Sequence, residues 1–339
     1  MLDLEIVTEV SRLESLPNEW DKLAELVPCA TPFQTPEWLL TWWKHFGSGE
    51  PRILLFRERG KLVGLIPAFL HEWEDKRQIT LFGSGISDYL DPLLAPDTAC
   101  EIANCLFGYL RCATEWDVCN WQDLSRNDLL NASVPRELVI ESVPETPCSA
   151  IRIEGTFGDY WQKRPSGLRR NVRRYRQKAE QVAALTSETS ASANREYLDT
   201  LIRLHSARWR EQGEPGMIAA NRSAAFLREV VEKLAGRELV RFFILRFQGA
   251  IAAVILGLPY RNTIYAYLSA FDPAYSAFGF GRLLLFHALE YAFANNFQKW
   301  DFLRGSEGYK FEWGAEEIPK TRLLITRAHR CVDDGSIKV

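Results

Sequence analysis

The sequence predicts an α+β protein made of two tandem lobes, and three observations lead to this fold class. A glycine turn, an Asp-Pro turn and a Trp-Asp pair occur twice in the same order and at a nearly constant offset. Each copy alternates strand-like runs with apolar helical segments. A chain of 339 residues is also long enough for two domains that each bury a core. The landmark pairs are Gly60 and Gly249, Asp91-Pro92 and Asp272-Pro273, and Trp116-Asp117 and Trp300-Asp301.

The composition is that of a folded protein with large aromatic clusters. The chain is 47% hydrophobic, 12% aromatic and 25% charged, and its net charge of −3 argues against wholesale coating of nucleic acid. The N-terminus lacks a basic region followed by an apolar core, and no run reaches the roughly 18 apolar residues that span a bilayer. We therefore expect a cytoplasmic protein without stable membrane insertion.

Seven cysteines do not follow the spacing of a metal knuckle. Cys100, Cys105 and Cys112 lie on an apolar helical pattern, where a cysteine packs as a small hydrophobic residue. We expect buried free thiols and no metal site.

The first copy supplies the elements of an N-terminal lobe, residues 1–150. Thr35 and Pro36 predict the start of a helix, because threonine caps a helix and proline fits its first turn. Arg59-Gly60 predicts a hairpin turn between two strands. The predicted strands are 52–56, 61–70, 79–82 and 116–121, and the predicted helix is 97–112.

The second copy supplies a C-terminal lobe, residues 151–330, which is followed by a tail at 331–339. Gln248-Gly249 predicts a second hairpin turn, and a second apolar helix connects the last two strands. The predicted strands are 239–247, 250–258, 263–271 and 299–303, and the predicted helix is 282–295.

A glycine loop opens the helix of the second copy. Gly279 and Gly281 would expose backbone N–H groups at the positive end of the helix dipole, where a phosphate binds. The alternative is a tight turn without a ligand. The first copy has Asp97 at this point, and its carboxylate would repel a phosphate, so we expect only the C-terminal lobe to hold an anionic cofactor. The candidate cofactor-binding residues are Ser276, Gly279, Phe280, Gly281 and Arg282.

A basic run connects the two copies. Residues 163–178 contain eight basic residues and no acidic one, with the arginines on a broad face of a helix. One interpretation is a solvated helix, and the other is a surface that binds phosphate through guanidinium groups. Because Tyr175 is the one aromatic residue in this run, we favour a small phosphorylated ligand over a nucleic-acid strand.

A helix predicted at 194–212 carries His205, Arg208 and Trp209 on neighbouring turns. His205 is either a structural or a catalytic histidine. Arg208 and Trp209 suit a flat or anionic substrate group, and packing of the helix against a sheet is the alternative. His287 lies among apolar residues, and we interpret it as a core residue.

The strand at 299–303 ends in a polar cluster. In a strand, Asp301 and Leu303 point to the face opposite that of Arg304. Asp301 is a candidate base or orienting group, and the alternative is a buried aspartate that holds loop amides. Arg304 and Lys310 are candidates for holding an acidic part of the substrate, and Glu307 is an alternative base.

Four segments together resemble a known superfamily. They are PFQTPEWLLTWW at 32–43, HSARW at 205–209, YSAFGFG at 275–281 and, most specifically, DFLRGSEGYKFEW at 301–313. The sequence resembles the GNAT acyltransferase superfamily and, within it, the FemAB-like CelD or BioF2-like acetyltransferase type.

The resemblance implies two GNAT-fold lobes with mixed twisted sheets flanked by helices. It also implies transfer of an acyl group from acetyl-CoA or another acyl-CoA to an amine or hydroxyl of a small or saccharide-linked acceptor. The peptidoglycan-building relatives use aminoacyl-tRNA instead. YSAFGFG matches the pyrophosphate loop of the superfamily except that Ser276 replaces Gln or Arg. Tyr309 lies where relatives often place the catalytic acid.

Three hypotheses therefore follow from the sequence. The chain is an acyl-CoA-dependent N- or O-acyltransferase, an aminoacyl-tRNA-dependent transferase that uses residues 163–178 to bind RNA, or a non-catalytic saccharide- or protein-binding module on the same fold.

Overall fold

The structure is a computed structural model that describes residues 2–125, 133–211 and 221–328, with the side chains of 208–211 also outside the description. The predicted tail at 331–339 lies outside the described residues. The helices are α1 (Val10–Glu14), α2 (Pro17–Leu26), α3 (Pro36–Phe46), α4 (Ala99–Cys112), α5 (Phe157–Gln162), α6 (Ser166–Glu180), α7 (Arg195–Glu211), α8 (Asn221–Ala235), α9 (Phe280–Ala294) and α10 (Gly308–Glu312). The strands are β1 (Leu2–Val7), β2 (Glu50–Pro51), β3 (Ile53–Glu58), β4 (Lys61–Ile66), β5 (Ala68–Trp73), β6 (Lys76–Leu81), β7 (Leu93–Leu94), β8 (Val118–Leu124), β9 (Leu138–Arg152), β10 (Leu185–Ser190), β11 (Arg241–Phe247), β12 (Ala250–Tyr260), β13 (Thr263–Phe271), β14 (Lys299–Arg304) and β15 (Glu316–Arg327).

The chain divides into two compact units. Unit 1 comprises Met1–Ala30, Gly47–Glu145 and Thr321–Val339, and unit 2 comprises Thr31–Phe46 and Thr146–Lys320. The units differ from the predicted lobes, 1–150 and 151–330, because residues 31–46 belong to unit 2 and most of β15 belongs to unit 1.

Unit 1 contains two groups of strands. One is an antiparallel sheet in the order β1-β3-β4-β7, and the other has the order β15-β8-β6-β5-β2. Strands β6 and β8 are parallel, and α4 lies between them in the chain. The β3–β4 hairpin turns at Arg59 and Gly60, which both have positive φ, as the sequence predicts for a twisted two-residue turn.

Unit 2 repeats this plan. Its strands have the order β10-β11-β12-β13-β14-β9, and all neighbours are antiparallel except β13 and β14, whose connection is α9. The β11–β12 hairpin turns at Gln248 and Gly249, both again with positive φ. A hairpin followed by two parallel strands and a connecting helix therefore occurs in both units. The predicted fold class, mixed sheets flanked by helices, is confirmed.

Helices cover both faces of the sheet in unit 2. On one face α5, α6 and α9 enclose an apolar cluster that includes Trp300, Phe302 and Trp313. Helix α7 packs on β12 and β13, and α3 packs against α8. Trp38 of α3 makes edge-to-face contacts with Phe226 and Tyr267, at 5.3 Å and 5.0 Å between ring centroids. These aromatic contacts explain why residues 31–46 belong to unit 2.

The start of α3 follows the predicted capping chemistry. The Oγ1 atom of Thr35 accepts a hydrogen bond from the backbone N–H of Trp38 at 3.3 Å, and Pro36 is the first residue of the helix.

The cysteines within the described residues are free thiols, but their burial differs from the prediction. Cys119 and Cys148 are buried, whereas Cys100 and Cys112 are exposed because they lie on the solvent side of α4. Among the described residues, no helix combines the length and the hydropathy that a bilayer crossing requires.

We predict that an ionic cluster fastens α3 to α8. Partial burial of Glu229 disfavours its charge, but hydrogen bonds from Lys44, His45 and Lys233 outweigh this and lower its pKa to about 2. A lowered folded-state pKa stabilises the fold above the unfolded-state pKa of 4.5, and this stabilisation is lost as the pH falls toward 2. Glu229→Gln should reduce the free energy of unfolding by ~1 kcal/mol at pH 7.

Urea denaturation at pH 7 and at pH 3 measures this effect, and the difference between wild type and Glu229→Gln should shrink at pH 3. The exposed Glu232 on the same helix provides the control variant, Glu232→Gln. A difference that does not depend on pH would contradict the assignment.

Candidate active site

The strands β13 and β14 separate after a short region of pairing. Their register covers Thr263 with Lys299, Ile264 with Trp300 and Tyr265 with Asp301. Beyond this point β13 continues along β12 to Phe271, whereas β14 follows β9. Two parallel strands that separate leave an opening between them, which we call the wedge, bounded by residues 266–271 and 302–304.

After β13, which forms one side of the wedge, the chain passes through the predicted glycine loop into α9. Gly279 has φ of +61° and lies at the N-terminus of α9. Its carbonyl accepts hydrogen bonds from the N–H groups of Arg282 and Leu283. The amides of Phe280 and Gly281 come earlier in the first turn, and an α-helix does not use these amides itself. They are suited to hold an anion at the positive end of the helix dipole.

Gly279 is required by space as well as by conformation. A Cβ atom at this position would lie 2.5 Å from the ring of Tyr175 in α6. The loop therefore packs closely under α6, and sequence reasoning did not identify Tyr175 as its partner.

The structure brings the predicted cofactor-binding residues together in one turn. Ser276 is exposed, and its carbonyl accepts a hydrogen bond from the N–H of Gly279 at 3.3 Å. The side chain of Phe280 is buried in the apolar cluster, so only its backbone can contact a ligand. Arg282 forms an ion pair with Glu312 at 2.6 Å. This ion pair connects α9 to α10.

Helix α6, which packs against the loop, is rich in basic residues. The helix begins at Ser166, within the basic run. It buries Leu168 and Val172, Arg169 is half-buried, and its other arginines are exposed. The Nζ atom of Lys178 donates to the carbonyl of Ala277 at 3.2 Å. Within the described parts of the chain, no carboxylate pairs with the exposed arginines of α6, which are Arg170, Arg173, Arg174 and Arg176.

The end of β14 has an unusual backbone conformation that Asp301 holds in place. Leu303 has φ of +61°, which is uncommon for a residue with a side chain. Asp301 is 0% exposed, and its Oδ1 atom accepts a hydrogen bond from the N–H of Leu303 at 2.9 Å. Its Oδ2 atom lies 3.3 Å from Nζ of Lys299. This geometry favours the buried-aspartate interpretation over that of a base in contact with substrate.

Lys310 holds the other side of the same turn. It is 2% exposed, and its Nζ atom donates to the carbonyls of Leu303, Arg304 and Gly305 at 3.3, 2.9 and 3.0 Å. It also lies 2.9 Å from Oε2 of Glu307. This differs from the predicted contact with an acidic substrate, because the backbone uses the ammonium group. We call Asp301 and Lys310 together the Leu303 clamp.

The residues after the clamp are accessible. The side chain of Glu307 is 57% exposed and Tyr309 is 39% exposed. The ring of Tyr309 packs edge-to-face on Phe302 of β14, with 6.0 Å between ring centroids. Arg304 is exposed at the end of the strand. The turn therefore presents Arg304, Glu307 and Tyr309 close to the wedge.

The predicted residues on α7 divide into two groups. His205 is buried in a helix that packs on β12 and β13, which favours the structural interpretation. Arg208 and Trp209 lie in α7, but their side chains are outside the described residues. His287, predicted to be a core residue, is only half-buried: its Nε2 atom lies 3.1 Å from Oγ1 of Thr189, and burial lowers its pKa.

Sequence reasoning also missed Tyr265. It is buried opposite Asp301 in the strand pairing, and burial, together with the charge of Asp301, raises its pKa. The alternation of Thr263, Tyr265 and Tyr267 along β13 is the sequence signal that places its ring on the Asp301 face.

Comparisons with known proteins agree with this geometry. Residues 166–311, all within unit 2, match the family model of the acetyltransferase (GNAT) domain. No curated protein sequence matches the chain. The fold is similar to that of FemX, with 11% identity, a TM-score of 0.66 and coverage of 94% of this chain and 96% of that one.

Two further solved structures share the fold. A conserved protein of unknown function from Bacteroides thetaiotaomicron has 11% identity and a TM-score of 0.59, over 96% of this chain and 100% of that one. The L-PGS protein from Bacillus licheniformis has 12% identity and a TM-score of 0.52, over 87% and 92%. At these identities the likeness shows the fold alone.

The fold, the wedge and the family match define a GNAT-type acyltransferase. The chain therefore carries a GNAT acetyltransferase domain at residues 166–311, within unit 2, and it shares its fold with FemX. This identification favours an enzyme over a non-catalytic binding module.

We predict that the Leu303 clamp is a major stabilising feature of unit 2. Lys310→Met keeps the length of the side chain but leaves three carbonyl groups without their donor, and it should lower the free energy of unfolding by ~2 kcal/mol or more. Lys163→Met, at an exposed position, is the matched control. Urea denaturation compares the two variants. Equal stability of both would show that the clamp contributes little.

Proposed function

We propose that unit 2 transfers an acyl group, in the first instance acetyl, from a CoA thioester to an amine or hydroxyl of a small or saccharide-linked acceptor. The observation that carries the proposal is the wedge between β13 and β14, which leads directly into the glycine loop at the start of α9. The resemblance of residues 301–313 supports the CelD or BioF2-like type, and a CoA donor is consistent with a reaction in the cytoplasm.

The donor is bound through its phosphates. The amides of Phe280 and Gly281 supply uncompensated N–H groups, and the helix dipole favours negative charge there. Arg174 and Lys178 of α6 add positive charge next to the loop, since Arg174 lies over the ring of Tyr175 and Lys178 contacts Ala277. The thioester end of the donor then extends into the wedge.

The reacting groups come from the turn after β14. The acceptor nitrogen or oxygen attacks the thioester carbonyl carbon, and its proton passes to the carboxylate of Glu307. The tetrahedral intermediate then breaks its carbon–sulfur bond, and the leaving thiolate takes a proton from the hydroxyl of Tyr309. Arg304 binds an acidic part of the acceptor. Asp301 and Lys310 hold this turn in position and do not contact the substrate.

A second donor, aminoacyl-tRNA, is favoured by the exposed arginines of α6. An RNA strand would neutralise several of these charges at once and release counterions. The two donors therefore differ in how strongly binding depends on salt.

We predict that acetyl-CoA binds with measurable heat in calorimetry. The double variant Arg174→Ala/Lys178→Ala should weaken binding by about tenfold, because it removes two phosphate contacts. The control Lys163→Ala/Arg170→Ala has the same net charge, and it should bind acetyl-CoA almost as wild type does.

No heat from acetyl-CoA or from longer acyl-CoAs, in a folded sample, would reject the CoA donor. Binding of tRNA that falls steeply with salt, and that both double variants weaken, would then support the second donor.

We predict that Glu307 and Tyr309 act in the chemical step and not in the binding of acetyl-CoA. Glu307→Gln and Tyr309→Phe should each lower kcat for acetyl transfer to D-glucosamine by about 100-fold, because each removes one proton-transfer group. The affinity for acetyl-CoA should remain unchanged. Release of free thiol measures the rate, and Glu101→Gln, an exposed residue of unit 1, is the control. Full activity in both variants would move the chemistry to other residues.

A further inference from the structure

Lys299 lies at the start of β14, two residues before Asp301 and on the same face of the strand. Its Nζ atom is 3.3 Å from Oδ2 of Asp301, and its side chain is 36% exposed whereas that of Asp301 is 0% exposed. The ammonium group also lies over the ring of Tyr265, 5.6 Å from the ring centroid. Tyr265 is buried, and it is the partner of Asp301 in the strand pairing. A lysine at the surface therefore places its charge against a buried carboxylate and a buried ring.

The neighbouring cation on this face is arranged differently. Arg152 of β9 is the direct partner of Lys299 in the strand pairing. Its Nε atom lies 3.9 Å from Oε1 of Glu154, and these two side chains are 77% and 75% exposed. Such an exposed ion pair contributes little, because solvent and salt screen it. The two adjacent cations therefore differ in their partners: one pairs with a surface carboxylate, and the other pairs with a carboxylate inside the protein.

Asp301 connects Lys299 to the turn after β14. One of its carboxylate oxygens, Oδ2, faces Lys299, and the other, Oδ1, accepts from the N–H of Leu303 at 2.9 Å. A carboxylate that is 0% exposed keeps its charge only where other groups compensate for its lost hydration. Removal of the ammonium group favours the neutral acid, which is a weaker acceptor for the N–H of Leu303. The left-handed backbone of Leu303 persists only where its surroundings hold it.

We propose that Lys299 is a positioning residue for the acyl transfer of unit 2, and that it acts through Asp301 on the turn that carries Glu307 and Tyr309. The lysine fixes the charge and the orientation of the carboxylate, the carboxylate holds Leu303, and the backbone of Leu303 sets the direction in which the chain leaves β14. This inference rests on the proposed function, because it assigns the reacting groups to that turn.

Two measurements on the full chain test the proposal with the variant Lys299→Met, which removes the charge. Exchange of the Leu303 amide hydrogen, followed by NMR on protein labelled with 15N-leucine, should become at least about tenfold faster, because its acceptor is weakened. The kcat for acetyl transfer to D-glucosamine should fall about tenfold, because a displaced turn misplaces the reacting groups. The KM for acetyl-CoA should stay within about twofold of wild type. Lys299→Arg keeps the charge and should restore both the exchange rate and kcat.

Arg152→Met is the matched control. It removes a cation from the adjacent position on the same face, but this cation pairs with a surface carboxylate. The control should therefore match wild type in the exchange of the Leu303 amide and in kcat. Urea denaturation checks that each variant is folded, and Lys299→Gln replaces Lys299→Met if the latter does not fold.

The proposal is overturned if the Leu303 amide exchanges at the wild-type rate in Lys299→Met. It is also overturned if Lys299→Met lowers kcat no more than Arg152→Met does, or if Lys299→Arg fails to restore kcat. The absence of acetyl transfer in the wild-type protein would instead reject the proposed function. The exchange measurement needs no substrate, and it would still decide whether Lys299 holds the turn.

Discussion

The left-handed backbone of Leu303 is the constraint on which the candidate site depends. A leucine adopts this conformation at a cost, so the surrounding structure must determine it. A carboxylate on one side accepts from its N–H, and an ammonium on the other side donates to its carbonyl and to the next two. Both charged groups are buried, and a buried charge that lost its hydrogen bonds would destabilise the fold strongly. The turn that carries Glu307 and Tyr309 is therefore held rigidly, which suits groups that must meet a reacting atom.

The two units show how one plan can acquire or lack an anion site. In both, a helix connects two parallel strands. Helix α4 of unit 1 has Glu101 in its first turn and follows a short 3-10 turn that contains Asp97. These carboxylates oppose a second anion there. Helix α9 of unit 2 has no acidic residue in its first turn, and the residue that precedes it is Gly279. The duplicated fold thus provides the frame, and the residues at this one helix end differ in charge between the two units.

The sequence predicted those features whose cause is local. Both hairpins turn at a residue followed by glycine, and the cap of α3 follows from Thr35 and Pro36, because these preferences depend on neighbouring residues alone. The assignment of residues 31–46 to unit 2 depends on contacts with α8, almost two hundred residues later in the chain. Local sequence patterns do not predict such contacts. The same limit applies to Lys310. A lysine in a polar cluster normally indicates a surface group. Lys310 is buried only because the folded turn after β14 places its carbonyl groups around the ammonium group. The wedge itself is a property of strand register, which the alternation of residues does not determine.

The insertion of residues 31–46 among the elements of unit 2 has a consequence for biosynthesis. This segment is synthesised well before its aromatic partners Phe226 and Tyr267, which follow about two hundred residues later in the chain. Trp38 therefore lacks its native contacts until these partners are synthesised, and its side chain is until then exposed to solvent or in other contacts. A fragment starting at residue 151 would lack α3, and the apolar surface of α8 that α3 covers would be exposed to solvent. Unit 2 is thus completed by residues 31–46, so its folding must wait for the synthesis of helix α8 and strand β13.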